Sequence, residues 1–185
     1  MKLNILGASG SGVTTLGTHL SSSLKIPYFD SDMFFWEDTN PPFTTKRSPH
    51  IRNSLIKEEL SKCNHWILGG SIINWGEDVF PKFNLAVFLW VPPEIRIARL
   101  RKREFERYGN IIYSDPNRKK LFEDFLSWAV DYDKHTGLAN RTLLAHEEWL
   151  RKIMCPVLEI RGDLTTEERI NIIIEKLSST TPEKH

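Results

Sequence analysis

The 185-residue chain has little cysteine: Cys63 and Cys155 lie far apart and form no C-x-x-C pair. That spacing excludes a disulfide framework and reads as two reduced, buried thiols of a cytosolic protein. Charge of one sign is also lacking. The formal net charge is +1, so no broad attraction to nucleic acid or to a membrane surface is expected. No apolar run approaches the roughly 18 residues of a membrane span, and no signal peptide precedes the first apolar stretch. Internal repeats and low-complexity linkers are absent. With 40% apolar and 26% charged residues, the composition is that of one globular domain over 1–185, monomeric or homodimeric, ending in a frayed tail over about 179–185.

What the chain does have is a concentrated signal in its first seventeen residues. Positions 2–6 form a short strand pattern that runs into Gly7-Ala8-Ser9-Gly10-Ser11-Gly12-Val13-Thr14-Thr15. Leu16, Leu20 and Leu24 then recur every fourth residue and line one helical face. Strand, glycine-rich turn and helix together make a phosphate cradle. Backbone N–H groups converge on an anion, and the helix N-terminus adds partial positive charge. The stretch fits G-x-x-x-x-G-K-[ST] at every position but one. Gly7 and Gly12 are the glycines, and Gly10, Ser11, Gly12 and Val13 supply N–H groups. Thr14 is the magnesium-binding hydroxyl, with Thr15 beside it near the α-phosphate. Val13 stands where the lysine belongs, so the phosphate cation must come from elsewhere. A dinucleotide loop is the competing reading, with Asp30 near the distance of a ribose-binding acid. G-x-G-x-x-G beginning at Gly10, however, requires glycine at Thr15. A plain turn without ligand is the third reading.

Further along, a helix over 13–25 must stop before Pro27. A second strand follows and ends in Asp30-Ser31-Asp32. Aspartates at the carboxyl end of a parallel strand face the phosphate loop, or else cap the next segment. Asp32 is the expected base or metal-shell group and Asp30 its neighbour on the substrate. The aromatic cluster Met33 to Trp36 is mostly core. Residues 38–48 are irregular and group Lys46 and Arg47, with Arg52 in the first turn of the next helix, as anion-binding candidates. A third strand ends in Gly69-Gly70-Ser71, where Gly70 and Ser71 permit close approach of a substrate. The run Leu85 to Val91 is a strand buried on both faces.

The helix after Pro92-Pro93 sets Arg96, Arg99, Arg103 and Arg107 on one face, an arrangement suited to phosphates. Arg103 and Arg107 lie nearest an irregular flap over 109–120. Two further helices, a fifth strand and a last helix opened by a Thr165/Glu168 capping box complete the chain. Strands alternating with helices give an α/β three-layer sandwich with a five-stranded parallel sheet.

These residues resemble the nucleoside monophosphate kinase and shikimate kinase branch of P-loop kinases, and bacterial adenylate-kinase-related proteins in particular. The carriers are Gly7 to Thr15, Tyr28-Phe29-Asp30-Ser31-Asp32, Leu68-Gly69-Gly70-Ser71, the segment Val87 to Arg103, and Arg161-Gly162-Asp163. The resemblance implies a P-loop fold with strand order 2-3-1-4-5. It also implies an acceptor-binding insertion over about 32–64, a lid over about 99–120, and adenine contact by the loop at Arg161. The expectation is ATP- and Mg2+-dependent phosphoryl transfer to a small-molecule acceptor in the cytoplasm. Asp32, Arg103 and Arg107 are catalytic, Thr14 and Asp32 serve the metal, Arg99 binds ATP, and no nucleic acid or membrane takes part. A non-catalytic nucleotide-binding regulator and an NAD(P)-binding Rossmann protein are the alternatives.

Overall fold

A computed structural model describes residues 1–40, 42–76 and 78–180. It contains strands β1 (Lys2–Gly7), β2 (Tyr28–Asp30), β3 (Trp66–Gly69), β4 (Leu85–Trp90) and β5 (Val157–Arg161). The helices are α1 (Val13–Leu24), α2 (Ser31–Phe35), α3 (Pro49–Ser61), α4 (Pro93–Tyr108), α5 (Ile111–Ser114), α6 (Pro116–Lys134), α7 (Leu143–Lys152) and α8 (Thr166–Thr180). The five strands form one parallel sheet in the order β2-β3-β1-β4-β5, as expected.

Alternation along the central strands gives the sheet two apolar faces. Leu3, Ile5, Ile67, Val87 and Leu89 pack against Leu16 and Leu20 of α1 and Ile173 of α8. On the other face Leu6, Ala86 and Phe88 meet Leu150 of α7, and Trp66 and Leu68 meet Ile56 and Leu60 of α3. Each such side chain, fully buried, stabilises the fold by roughly 1.5–3 kcal/mol. Leu100, Ile112, Phe122 and Leu126 build a separate small core that joins α4, α5 and α6 into one unit.

Several local expectations need correction. Residues 109–120 are largely helical rather than an irregular flap: Asp115 accepts from the Arg118 backbone N–H and caps α6, which starts at Pro116 inside the expected flap. Of the two helices expected after that flap, the second, α7, begins at Leu143, where Thr142 caps it through the Ala145 N–H. Ser178 and Ser179 continue α8, while the rest of the expected tail, from 181 on, lies outside the described residues. Cys63 and Cys155 are free thiols but only half-buried. The capping box stands as read: Glu168 N–H donates to the Thr165 hydroxyl at 3.2 Å, and the Glu168 carboxylate accepts from Thr165 N at 2.7 Å.

Candidate active site

A cleft of about 1020 Å³ opens at the carboxyl ends of the strands. Its floor is the turn between β1 and α1. Gly10 and Gly12 adopt φ of +83° and +94°, and α1 starts from Gly12 without any side-chain cap. Its first N–H groups therefore point into the cleft unclaimed by a side chain, the condition for anion binding at a helix N-terminus. Gly7 is needed for packing: a Cβ there would meet the Leu89 carbonyl at 2.5 Å. Val13 is half-buried, packs toward the core under α1 and also touches the cleft.

Two buried arginines hold this turn from behind. Arg96, 1% exposed, donates to the Ser9 and Val91 carbonyls at 3.1 and 3.2 Å and pairs with Asp133. Its guanidinium also lies over the Tyr132 ring. Arg169 of α8, 4% exposed, donates to the Ser11 carbonyl at 2.8 Å. Arg96 thus departs from the arginine stripe. Its neighbours in sequence bring it to one helical face with Arg99, Arg103 and Arg107, but its carbonyl and carboxylate partners make it a scaffold. Arg169 was not legible, because an arginine among the isoleucines of the last helix carries no motif.

The other three arginines of the stripe line the cleft. Arg99 donates to the Gly10 carbonyl at 3.4 Å and pairs with Asp163 in the loop after β5. Arg103 and Arg107 lie 3.6 and 3.8 Å from the nearly buried carboxylate of Glu104, which Arg118 also approaches at 3.4 Å. Arg161 is placed elsewhere. It is held by Glu147 and Glu159 beside Phe88 and Trp90, against a separate small hollow on the α7–β5 face.

Opposite the floor stands the end of β2. The Thr14 hydroxyl donates to Asp30 Oδ2 at 3.0 Å, and the Asp32 N–H donates to Asp30 Oδ1 at 3.0 Å. Asp30, rather than Asp32, is thus the carboxylate in contact with Thr14, and it also caps α2. Asp32 opens into the cleft and is itself exposed there, with protein on either side. Its pKa is raised above the usual carboxylate range, chiefly by desolvation and then by the Asp30 charge, with Arg141 and Arg103 opposing. Hydroxyl and carboxylate oxygens at a helix N-terminus are the donor chemistry of a hard cation such as Mg2+. Among the described residues no group of three or more His, Cys, Asp or Glu side chains could hold a metal alone. The fit is therefore to an ion that arrives with a phosphorylated ligand.

The acceptor side holds Arg52, a candidate of the sequence, and Arg141, which sequence reasoning missed. Arg141 lines the cleft, lies over the Phe35 ring at 4.8 Å and feels the Asp32 charge without a direct ion pair. Arg52, 6% exposed, stacks on Trp75 at 4.0 Å and donates to Asn53 at 2.9 Å. Among the described residues neither arginine has a carboxylate partner, and Arg141 helps burial lower the Arg52 pKa. Arg47 lines the cleft with Nη1 committed to the Met33 and Phe34 carbonyls at 3.1 and 2.8 Å. Lys46 is exposed, pairs in an isolated bridge with Trp36 and is not among the cleft's walls.

Gly70 and Ser71 also line the cleft, at the end of β3. His146, 1% exposed, joins Ser71 to Tyr132: its Nε2 lies 2.9 Å from Ser71 Oγ and its Nδ1 2.8 Å from the Tyr132 hydroxyl. Burial, reinforced by Arg141, lowers the His146 pKa to about 4, so this link is neutral near pH 7. A lone histidine in a helical stripe has no signal that distinguishes it from core, which is why it was passed over.

No family model matches the chain. Its fold is that of P-loop kinases. Deoxyadenosine kinase from M. mycoides with bound dATP superposes with a TM-score of 0.59 over 96% of this chain and 100% of that one, at 13% identity. Shikimate kinase from Bacteroides thetaiotaomicron gives 0.55 over 96% and 98%, at 17% identity. Shikimate kinase from Acinetobacter baumannii in complex with shikimate gives 0.52 over 98% and 95%, at 16% identity. In sequence, the uncharacterized protein YqaC of Bacillus subtilis (strain 168) is 40% identical over 177 residues, 96% of this chain and 97% of YqaC. With the P-loop floor, the strand order and this identity together, the chain belongs to the family of YqaC, on a P-loop kinase fold.

Proposed function

We propose that this protein transfers the γ-phosphoryl group of ATP to a hydroxyl of a small anionic acceptor. The observation that carries the reading is the pairing of two opposed sites in one cleft. An uncapped helix N-terminus faces a carboxylate, Asp32, that is flanked by Arg141 with Arg52 nearby, neither held by a carboxylate among the described residues. Buried cations without counter-ions are costly, and an anionic ligand offsets that cost. ATP lies along Gly7–Thr15, with Arg99 and the Asp163 loop bordering its far end. Mg2+, when bound with the nucleotide at Thr14, offsets charge on the phosphates. The acceptor anion sits on Arg141, with Arg52 behind it, and Ser71 and Gly70 meet its body. Asp32 takes the hydroxyl proton as the acceptor oxygen bonds to the γ-phosphorus and the bridging oxygen leaves with ADP. Its raised pKa makes it a stronger base than an ordinary carboxylate. Arg103 and Arg107 supply the cationic charge that Val13 cannot, since phosphoryl transfer rests on positioning and charge neutralisation.

The test is a thermal-shift series with ATP, ADP and NAD(P), with and without Mg2+. An ADP-release assay against hydroxylated carboxylates and phosphate monoesters follows. Saturation at ~100 times the dissociation constant raises stability by about 2.7 kcal/mol. A shift with NAD(P) and none with ATP overturns the reading. Val13 favours one second reading, a nucleotide-binding regulator without turnover. ATP binding with no transfer, even after Val13→Lys, selects it.

A further inference from the structure

The slot around Tyr28 has no explanation in packing alone. A Cβ at Gly17 would lie 2.1 Å from the Tyr28 ring, and one at Gly69 would lie 2.1 Å from its hydroxyl oxygen. Neither glycine has positive φ, so the backbone does not require them. Gly17 sits inside α1, where glycine is disfavoured relative to alanine. Two positions are thus kept bare for one ring. A phenylalanine ring would fill most of the same space, so the remaining question is what the hydroxyl does.

The hydroxyl donates to Asp30 Oδ2 at 3.3 Å, the same oxygen that accepts from Thr14 at 3.0 Å. Oδ1 is held from the other side by the Asp32 N–H. The carboxylate is therefore fixed by three donors from three directions. Fixed in this way, Asp30 draws the Thr14 proton toward β2 and leaves the Thr14 lone pairs facing the cleft. A phenol is protonated at neutral pH, so it can serve as this donor.

We infer that Tyr28 is a positioning residue for the metal–nucleotide complex: through Asp30 it orients the Thr14 hydroxyl toward a divalent cation. This rests on the reading of the cleft as a magnesium–ATP site. Partners that orient a metal-binding group typically contribute 10–100-fold to metal affinity, and a 3.3 Å contact belongs at the lower end.

The experiment measures ATP affinity by titration calorimetry with and without Mn2+, in wild type, Tyr28→Phe, Asp30→Ala and the double variant. Wild type should bind ATP more tightly with Mn2+. Tyr28→Phe, which keeps the ring, should lose about tenfold of that gain, while metal-free affinity and melting temperature hold. In the Asp30→Ala background, Tyr28→Phe should add nothing further, because the two act as one unit. An unchanged Mn2+ gain in Tyr28→Phe overturns the inference and leaves the magnesium–ATP reading standing. So does a loss that adds fully to that of Asp30→Ala. ATP binding that is indifferent to Mn2+ in wild type overturns both.

Discussion

Arg96 and Arg103 share one face of α4, and the structure assigns them opposite sensitivities. Arg96→Met removes a guanidinium that is 1% exposed and leaves the Ser9 and Val91 carbonyls without that donor. It also strands the Asp133 carboxylate, whose pKa burial already pushes up and which Arg96 pulls back down. Breaking a buried pair from one side costs about 3–5 kcal/mol. For a domain of this size each kcal/mol moves the melting temperature by roughly 2–4 °C, so the expected fall is on the order of 10 °C. Arg103→Met removes a half-exposed side chain whose carboxylate contact is 3.6 Å long, and a surface change of that kind stays within about 0.5 kcal/mol. Its effect should appear in turnover instead, as a roughly hundredfold loss of kcat with ATP, the scale of one transition-state charge contact. Differential scanning calorimetry and the ADP-release assay on both variants decide the matter. If Arg96→Met melts within 2 °C of wild type and loses transfer, the division of the stripe into scaffold and phosphate arginines is wrong.

Asp32→Asn should keep ATP binding within a few-fold and abolish most phosphoryl transfer. In wild type, kcat/KM should fall as pH drops through a value above the ordinary carboxylate range, because the basic form is needed and the Asp32 pKa is raised; a limb at or below 3.8 refutes this. For His146, the folded pKa of about 4 against 6.5 unfolded means that the unfolded chain binds the proton first as pH falls. Stability should therefore be full above about pH 7, decline by up to about 3 kcal/mol between pH 6.5 and 4, and flatten below. Denaturant titrations of wild type and His146→Gln at each pH check this, and equal slopes refute it. Gly10→Ala forces a side chain into φ +83° with its Cβ 2.8 Å from the Arg96 carbonyl. It should cost about 1–3 kcal/mol and strongly weaken ATP binding, measured by melting and calorimetry; wild-type ATP affinity would show that the turn does not touch phosphate.

The fold was legible because its signals are local and repeat: apolar strands, a glycine turn, helix stripes, proline stops. The floor of the cleft was legible for the same reason, since Gly7 to Thr15 is contiguous. The acceptor side was legible only in part. Arg52, Gly70 and Ser71 stood out, by charge and by a strand end, whereas Arg141 and His146 did not, since only the fold brings His146 to Ser71 and Arg141 to the cleft. The arginine stripe was legible as a stripe but not by role. A helical wheel gives direction about one axis, whereas Arg96 is distinguished by what faces it, the β1–α1 turn and Asp133. Lys46 shows the reverse: it stood out by charge yet lies outside the cleft, while Arg47, also picked by charge, does line it, with Nη1 spent on carbonyls at the end of α2.

Glu104 gives α4 the character of an ion exchanger whose resident anion is covalently attached. One nearly buried carboxylate serves Arg103, Arg107 and Arg118. A polyphosphate entering the cleft would meet arginines that already have a counter-ion, and gain only the difference between two partners. That would lower the affinity these arginines can contribute, and make departure easier by the same amount. On the proposed reading, a nucleotide that has passed on a phosphoryl group carries less charge, so the carboxylate would compete better for its arginines. Release would then be driven from within the chain.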